Sequence, residues 1–180
     1  MWLIQDSFSH VLSRKHADSE VIIKFQGKKY KGNIFSVIQQ LYFETDKTPG
    51  KSIDLGIFLN GIPLFTAELK ELFTGQNIND AIKQYRVTRD PRLTLFTFRR
   101  CLAHFAVDDD NVYMTTKLEG KNTNFIPFNK GHDRGAGNPP NHNGYTTDYL
   151  WKEIWEKKSL LNIKSSAKYA GIWCLTHTQK

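Results

Sequence analysis

Cysteine is scarce in this chain. Its two cysteines, Cys101 and Cys174, lie far apart and form no Cys-x-x-Cys pair, which excludes a disulfide-stapled scaffold and a four-thiolate zinc knot. Both are expected as free, reduced thiols, and the protein is expected to be cytoplasmic. No apolar run approaches the roughly 18 residues that would read as a membrane-spanning helix. The first residues, Met1-Trp2-Leu3-Ile4-Gln5-Asp6, lack a basic segment followed by an apolar one, so a secretion signal is not expected. A Gly-x-x-x-x-Gly-Lys-Ser/Thr phosphate loop is also missing, which excludes that route to ATP. There is no internal repeat and no low-complexity tract.

What is present is a globular composition, 39% hydrophobic and 13% aromatic over 180 residues. That length fits one domain able to bury a real core. The charge is +7, from 25 Lys+Arg against 18 Asp+Glu. A basic surplus suits a polyanionic partner without specifying any chemistry.

Helical spacing of Ile4, Phe8, Val11 and Leu12 predicts an opening helix over 3–14. A hairpin over 20–31 turns at Gly27, and 34–43 reads as a further strand. Two apolar segments, 53–59 and 62–69, meet at Asn60-Gly61, the strongest short-range hairpin signal. Asn79 or Asp80 is positioned to cap a helix running to Thr88, ended by Asp90-Pro91. Strands are expected over 93–107 and 112–118, a Gly/Asn/Pro-rich loop over 129–144, and a helix over 146–161. The expected fold is α/β, a mixed sheet flanked by helices.

Three charges stand inside the apolar hairpin: Asp54, Glu68 and Lys70. A buried ion is costly unless it is paired or bound to a metal. Strand alternation puts Glu68 and Lys70 on one face. A two-residue turn would set Asp54 opposite Ala67, on the wrong face. A three-residue turn with a bulge at Gly61 would set it opposite Thr66 and diagonal to Glu68, and that turn is the one expected here. Asp54, Glu68 and the Leu69 backbone carbonyl would then hold a Mg²⁺ ion, which favours oxygen ligands. Lys70 would orient the attacking water and offset charge on a phosphate. Taken alone, Glu-x-Lys also describes an ordinary strand-end salt bridge.

The runs DLGIFLNGIPLFTAELK, TGQNINDAIKQYRVTRDP, FRRCLAHFAVDDDNVYMTTKLEGKNTNFIPFNKG and GAGNPPNHNGYTTDYLWKEIWEKKSLL follow one another from Asp54. Together they resemble the amino-terminal nuclease domain of the restriction (R) subunit of type I restriction-modification enzymes. The resemblance implies a restriction-endonuclease-like PD-(D/E)xK fold that cuts double-stranded DNA with Mg²⁺. It implies Asp54, Glu68 and Lys70 as the catalytic positions, and methylation and specificity subunits as partners. Residues 1–145 would be the endonuclease domain. Residues 146–163 resemble the start of a connection to ATP-driven motor domains, and 164–180 depart from the family pattern. The family's Gln-x-x-x-Tyr helix motif is altered: Tyr85 has Ala81 four residues before it, with Gln84 the nearest glutamine.

Arg86, Arg89, Arg92, Arg99, Arg100, Lys117, Lys121, Lys130 and Arg134 are candidates for a surface that tracks DNA phosphates, and equally for a solvated face. Phe125, Phe128, Trp151 and Trp155 are expected to pack in the core. Cys101 and His104 face opposite ways on a strand and make a poor nucleophile pair. Two other readings stand beside the endonuclease: an inert DNA-binding or subunit-docking module, and a nuclease of the same fold working outside restriction.

Overall fold

A computed structural model describes residues 32–43 and 50–162. The opening helix, the 20–31 hairpin and the tail from 164 lie outside these residues. Six strands form one sheet: β1 (Phe35–Tyr42), β2 (Ser52–Leu59), β3 (Ile62–Leu69), β4 (Ala103–Val107), β5 (Val112–Thr115) and β6 (Ile126–Pro127). They lie side by side in chain order. β3 and β4 run parallel while every other neighbouring pair is antiparallel. A parallel pair needs a crossover, and helix α1 (Ile78–Thr88) lies in that connection.

Both faces of the sheet are covered. On one, Leu55, Ile57, Phe65, Ala67 and Phe105 pack with Tyr149, Leu150, Trp155 and Leu160 from the C-terminal segment. On the other, Ile53 and Ala106 pack with Ala81, Ile82 and Tyr85 of α1 and with Phe96 and Phe125. Phe128 and Trp151 lie against the first cluster.

The hairpin forms where Asn60-Gly61 predicts it, with a different bend. Asn60 and Gly61 both have positive φ, 52° and 78°, and Leu59 pairs with Ile62. This is a two-residue turn of the type that matches strand twist, not the expected three-residue one. The bulge lies further along. Phe58 pairs with Pro63 but Ile57 pairs with Phe65, so Leu64 is an extra residue in β3. Its carbonyl accepts the Leu102 amide at 2.9 Å from the far side.

Four further expectations are corrected. Helix α1 is capped by Asn77, whose side chain accepts the Asn79 amide while Asp80 returns a bond to the Asn77 amide. Residues 93–102 do not join the strand. Asp90 accepts the Arg92 amide at 2.9 Å, and Thr97 bonds the Leu93 carbonyl at 3.0 Å, so side chains offer the backbone local partners instead of a ladder. β5 stops at Thr115, whose hydroxyl bonds the Lys117 carbonyl at 3.0 Å. The continuous helix over 146–161 is replaced by a wide π-helical turn, Leu150–Ile154, closed by Trp155 N–H to Leu150 C=O at 2.8 Å; helical backbone resumes at 157–162.

Candidate active site

The bulge at Leu64 decides where the carboxylates meet. Beyond it Leu55 pairs with Ala67 and Gly56 with Thr66, and one more step sets Asp54 level with Glu68. The expected partner, Thr66, pairs with Gly56 instead, and Thr66 and Glu68 face Tyr85 of α1 and Arg89 at its end. The Asp54 charge acts on the Glu68 carboxyl group and raises its pKa. Asp54 accepts the Leu69 amide through Oδ2 at 2.8 Å. Gln40 stands level with Asp54 in β1, between the Gln39–Leu55 and Leu41–Ile53 pairs. Its amide reaches Asp54 Oδ1 at 3.4 Å, and its Oε1 accepts the Ser52 hydroxyl at 2.8 Å. Gln40 holds a left-handed φ of 49°, a conformation that costs a non-glycine residue about 1–2 kcal/mol.

Glu68 is fully buried. Burial drives its pKa up from 4.5 to about 7, against the pull of the Arg89 charge and with a further push from Asp54. Arg89 Nε donates to Oε1 at 2.6 Å, and Nη2 of the same guanidinium also pairs with Oε1. The other oxygen, Oε2, is buried and has no hydrogen-bond partner. Lys70 follows directly after β3 and is half-buried. Its positive charge lowers the Glu68 pKa, while its ammonium makes no ion pair among the described residues.

Behind Glu68 runs a buried polar chain that sequence reasoning missed. Thr66 Oγ1 bonds the Tyr85 hydroxyl at 2.9 Å and His104 Nδ1 at 2.7 Å. Burial lowers the His104 pKa to about 4, so the ring is neutral. Tyr85 is therefore a core residue, fully buried with its ring against Phe125. Gln84, its neighbour, is half-buried and has an Oε1 without a partner. Burial also pushes the Cys101 thiol up to about 12, and its sulfur bonds the Leu64 carbonyl at 3.2 Å.

The basic candidates divide by surroundings. Arg89 leaves the surface set, being buried against Glu68 with Nη2 on the Ser52 carbonyl at 2.8 Å and Phe43 beneath it. Arg86 is half-buried and donates to the Thr123 carbonyl at 3.0 Å. Arg92, Lys117 and Lys130 are exposed but paired with Asp90, Glu119 and Glu153. Arg99, Arg100, Lys121 and Arg134 are exposed without an ion pair among the described residues.

The donor set suits a hard cation. An unpartnered buried carboxylate oxygen is costly unless something fills its lone pairs, and the Glu68 carboxyl group feels the charge of a second carboxylate, Asp54. Among the described residues no three or more His, Cys, Asp and Glu side chains converge as a closed metal site. Two carboxylates match Mg²⁺, which keeps several of its waters.

A mixed sheet with a helical crossover between its parallel strands defines an α/β protein of the restriction-endonuclease-like class. A family model for the type I restriction enzyme R protein N terminus matches residues 2–123. The chain belongs to that family and is a restriction-enzyme nuclease-like domain. No curated protein matches it. Among the described residues no helix is long and apolar enough to cross a membrane.

Proposed function

We propose that this domain hydrolyses phosphodiester bonds of double-stranded DNA with Mg²⁺ bound between Asp54 and Glu68. The observation that carries the proposal is the buried, unpartnered Glu68 Oε2 on a carboxyl group that feels the charge of Asp54. Asp54, Glu68 Oε2 and the Leu69 carbonyl would hold the ion. When bound, Mg²⁺ lowers the pKa of a coordinated water and neutralises charge on the scissile phosphate. The Leu69 amide fixes the Asp54 carboxylate, so its second oxygen is presented in one orientation. Lys70, which has no ion pair among the described residues, orients the attacking water and stabilises the added negative charge as the P–O bond to the leaving strand breaks. The Ile53 and Tyr85 side of the core keeps bulk water away from the buried flank of Glu68.

Family membership supports a place in a multi-subunit restriction system acting on DNA. Sequence choice would come from methylation and specificity subunits, with ATP handled by motor domains outside this chain. Incubating supercoiled plasmid with the chain and MgCl₂ tests the chemistry. Nicked or linear product is expected from wild type and is lost, by at least about 10²-fold, in Asp54→Ala and Lys70→Ala. No cleavage by wild type would instead support an inert binding module, and equal cleavage by wild type and Asp54→Ala would remove Asp54 from the site.

A further inference from the structure

We infer that Arg89 is a positioning residue of the cation site, holding one oxygen of Glu68 so that the other is presented beside Asp54; this rests on the Mg²⁺ reading above. A guanidinium that merely neutralises a carboxylate usually pairs as a fork, one nitrogen to each oxygen. Arg89 does otherwise. Both contacting nitrogens, Nε and Nη2, converge on Oε1. Nη2 is also fastened to the Ser52 carbonyl at 2.8 Å, at the start of β2, and the plane lies 5.2 Å from the Phe43 ring centroid. The guanidinium is thus anchored to the strand that carries Asp54 while gripping the strand that carries Glu68. Oε2 stays bare although it is buried.

The local sequence explains how Arg89 reaches this place. Asp90-Pro91 stops α1, because proline cannot continue the helix and restricts the residue before it. Arg89 takes an extended conformation, φ −101° and ψ 98°, and leaves the helix axis towards the sheet. Lysine at this position keeps the charge, but its single ammonium lacks the planar fork that spans Glu68 and Ser52.

The full chain is titrated calorimetrically with MnCl₂ as the probe, in wild type, Arg89→Met and Arg89→Lys, with folding checked by thermal melting. Partners that orient metal ligands are worth about 10–100-fold in affinity. Arg89→Met is expected to bind Mn²⁺ at least about tenfold more weakly, and Arg89→Lys to recover only part of the loss. Should Arg89→Met not fold, Arg89→Lys carries the comparison. Wild-type or tighter Mn²⁺ affinity in a folded Arg89 variant overturns the inference. So does an Arg89 variant that keeps Mn²⁺ affinity but loses DNA affinity in EDTA, which would make Arg89 a phosphate contact. Absence of Mn²⁺ binding by wild type overturns the cation site itself, and the role of Arg89 with it.

Discussion

Leu55 pairs with Ala67, and the register that follows carries Asp54 towards Glu68, because Leu64 is one residue too many for a regular ladder. Side-chain direction in strands alternates with period two, so a single inserted residue exchanges the faces of everything beyond it. Leu64 and Phe65, consecutive in sequence, accordingly both enter the same core cluster.

Deleting Leu64 should leave every other pair as it is, whereas inserting one residue between Leu64 and Phe65 should shift the register and set Asp54 opposite Ala67, away from Glu68. The expected result is loss of the Mn²⁺-binding heat in an insertion variant that still shows the Leu59–Ile62 contact by NMR. Undiminished Mn²⁺ binding by the insertion variant would mean that the register does not assemble the site.

Glu68 and His104 are buried on the same side of the sheet and oppose one another in their response to pH. Glu68 is raised from 4.5 to about 7, so the folded state holds its proton more tightly than the unfolded state. Its contribution is fully present below pH 4.5 and is lost as pH rises to about 7. His104 is lowered from 6.5 to about 4. Its contribution is present above pH 6.5 and is lost as pH falls to about 4. Each shift corresponds to about 3 kcal/mol across its window. Comparing urea unfolding of metal-free wild type and Glu68→Gln isolates one of the two, since the cost of leaving Arg89 without its carboxylate is constant with pH. Between pH 4.5 and 8 the variant should gain about 3 kcal/mol on wild type. A constant difference would show that Glu68 ionises normally in the folded chain.

The Thr66 hydroxyl carries two buried partners, the Tyr85 hydroxyl and His104 Nδ1. Thr66→Val keeps the shape but strands both, and a buried polar group left unsatisfied costs about 1–3 kcal/mol. The variant should lose about 2–5 kcal/mol in chemical denaturation, whereas Tyr85→Phe, which leaves the Thr66–His104 bond, should lose about 1 kcal/mol. Equal losses would argue against a shared hydroxyl.

The hairpin and its three charges are legible from sequence because Asn60-Gly61 and the apolar alternation are local signals. The bulge has a signal too, in Pro63. β3 lies between β2 and β4, and a proline in a central strand lacks the ladder N–H, so it belongs beside an irregularity. Arg89 is harder to place. It meets Glu68 over a separation of 21 residues, through a crossover whose path no local pattern encodes, and a charge at a helix end reads by default as solvated. The turns over 93–102 escape for the opposite reason: alternating Leu, Thr and Phe satisfy a strand pattern, while Asp90 and Thr97 supply closer bonds.

Among the basic candidates, Arg99, Arg100, Lys121 and Arg134 are exposed without an ion pair among the described residues, and they allow phosphate contacts to be told from ordinary surface charge. Arg99 and Arg100 are adjacent, so one double variant, Arg99→Ala with Arg100→Ala, removes two charges near the Phe98 ring that Arg99 overlies. Each lost phosphate contact lowers the slope of log affinity against log salt by about 0.9. If both side chains touch phosphates, fluorescence anisotropy of a labelled duplex from low to moderate KCl should show the slope falling by about 2, with weakening independent of sequence. Lys117→Ala, whose ammonium is already held by Glu119 at 2.6 Å, should change the slope far less. An unchanged slope in the double variant, with a reduced one in Lys117→Ala, would place the duplex beyond Arg99 and Arg100 and make the Lys117–Glu119 pair the part that opens to meet it.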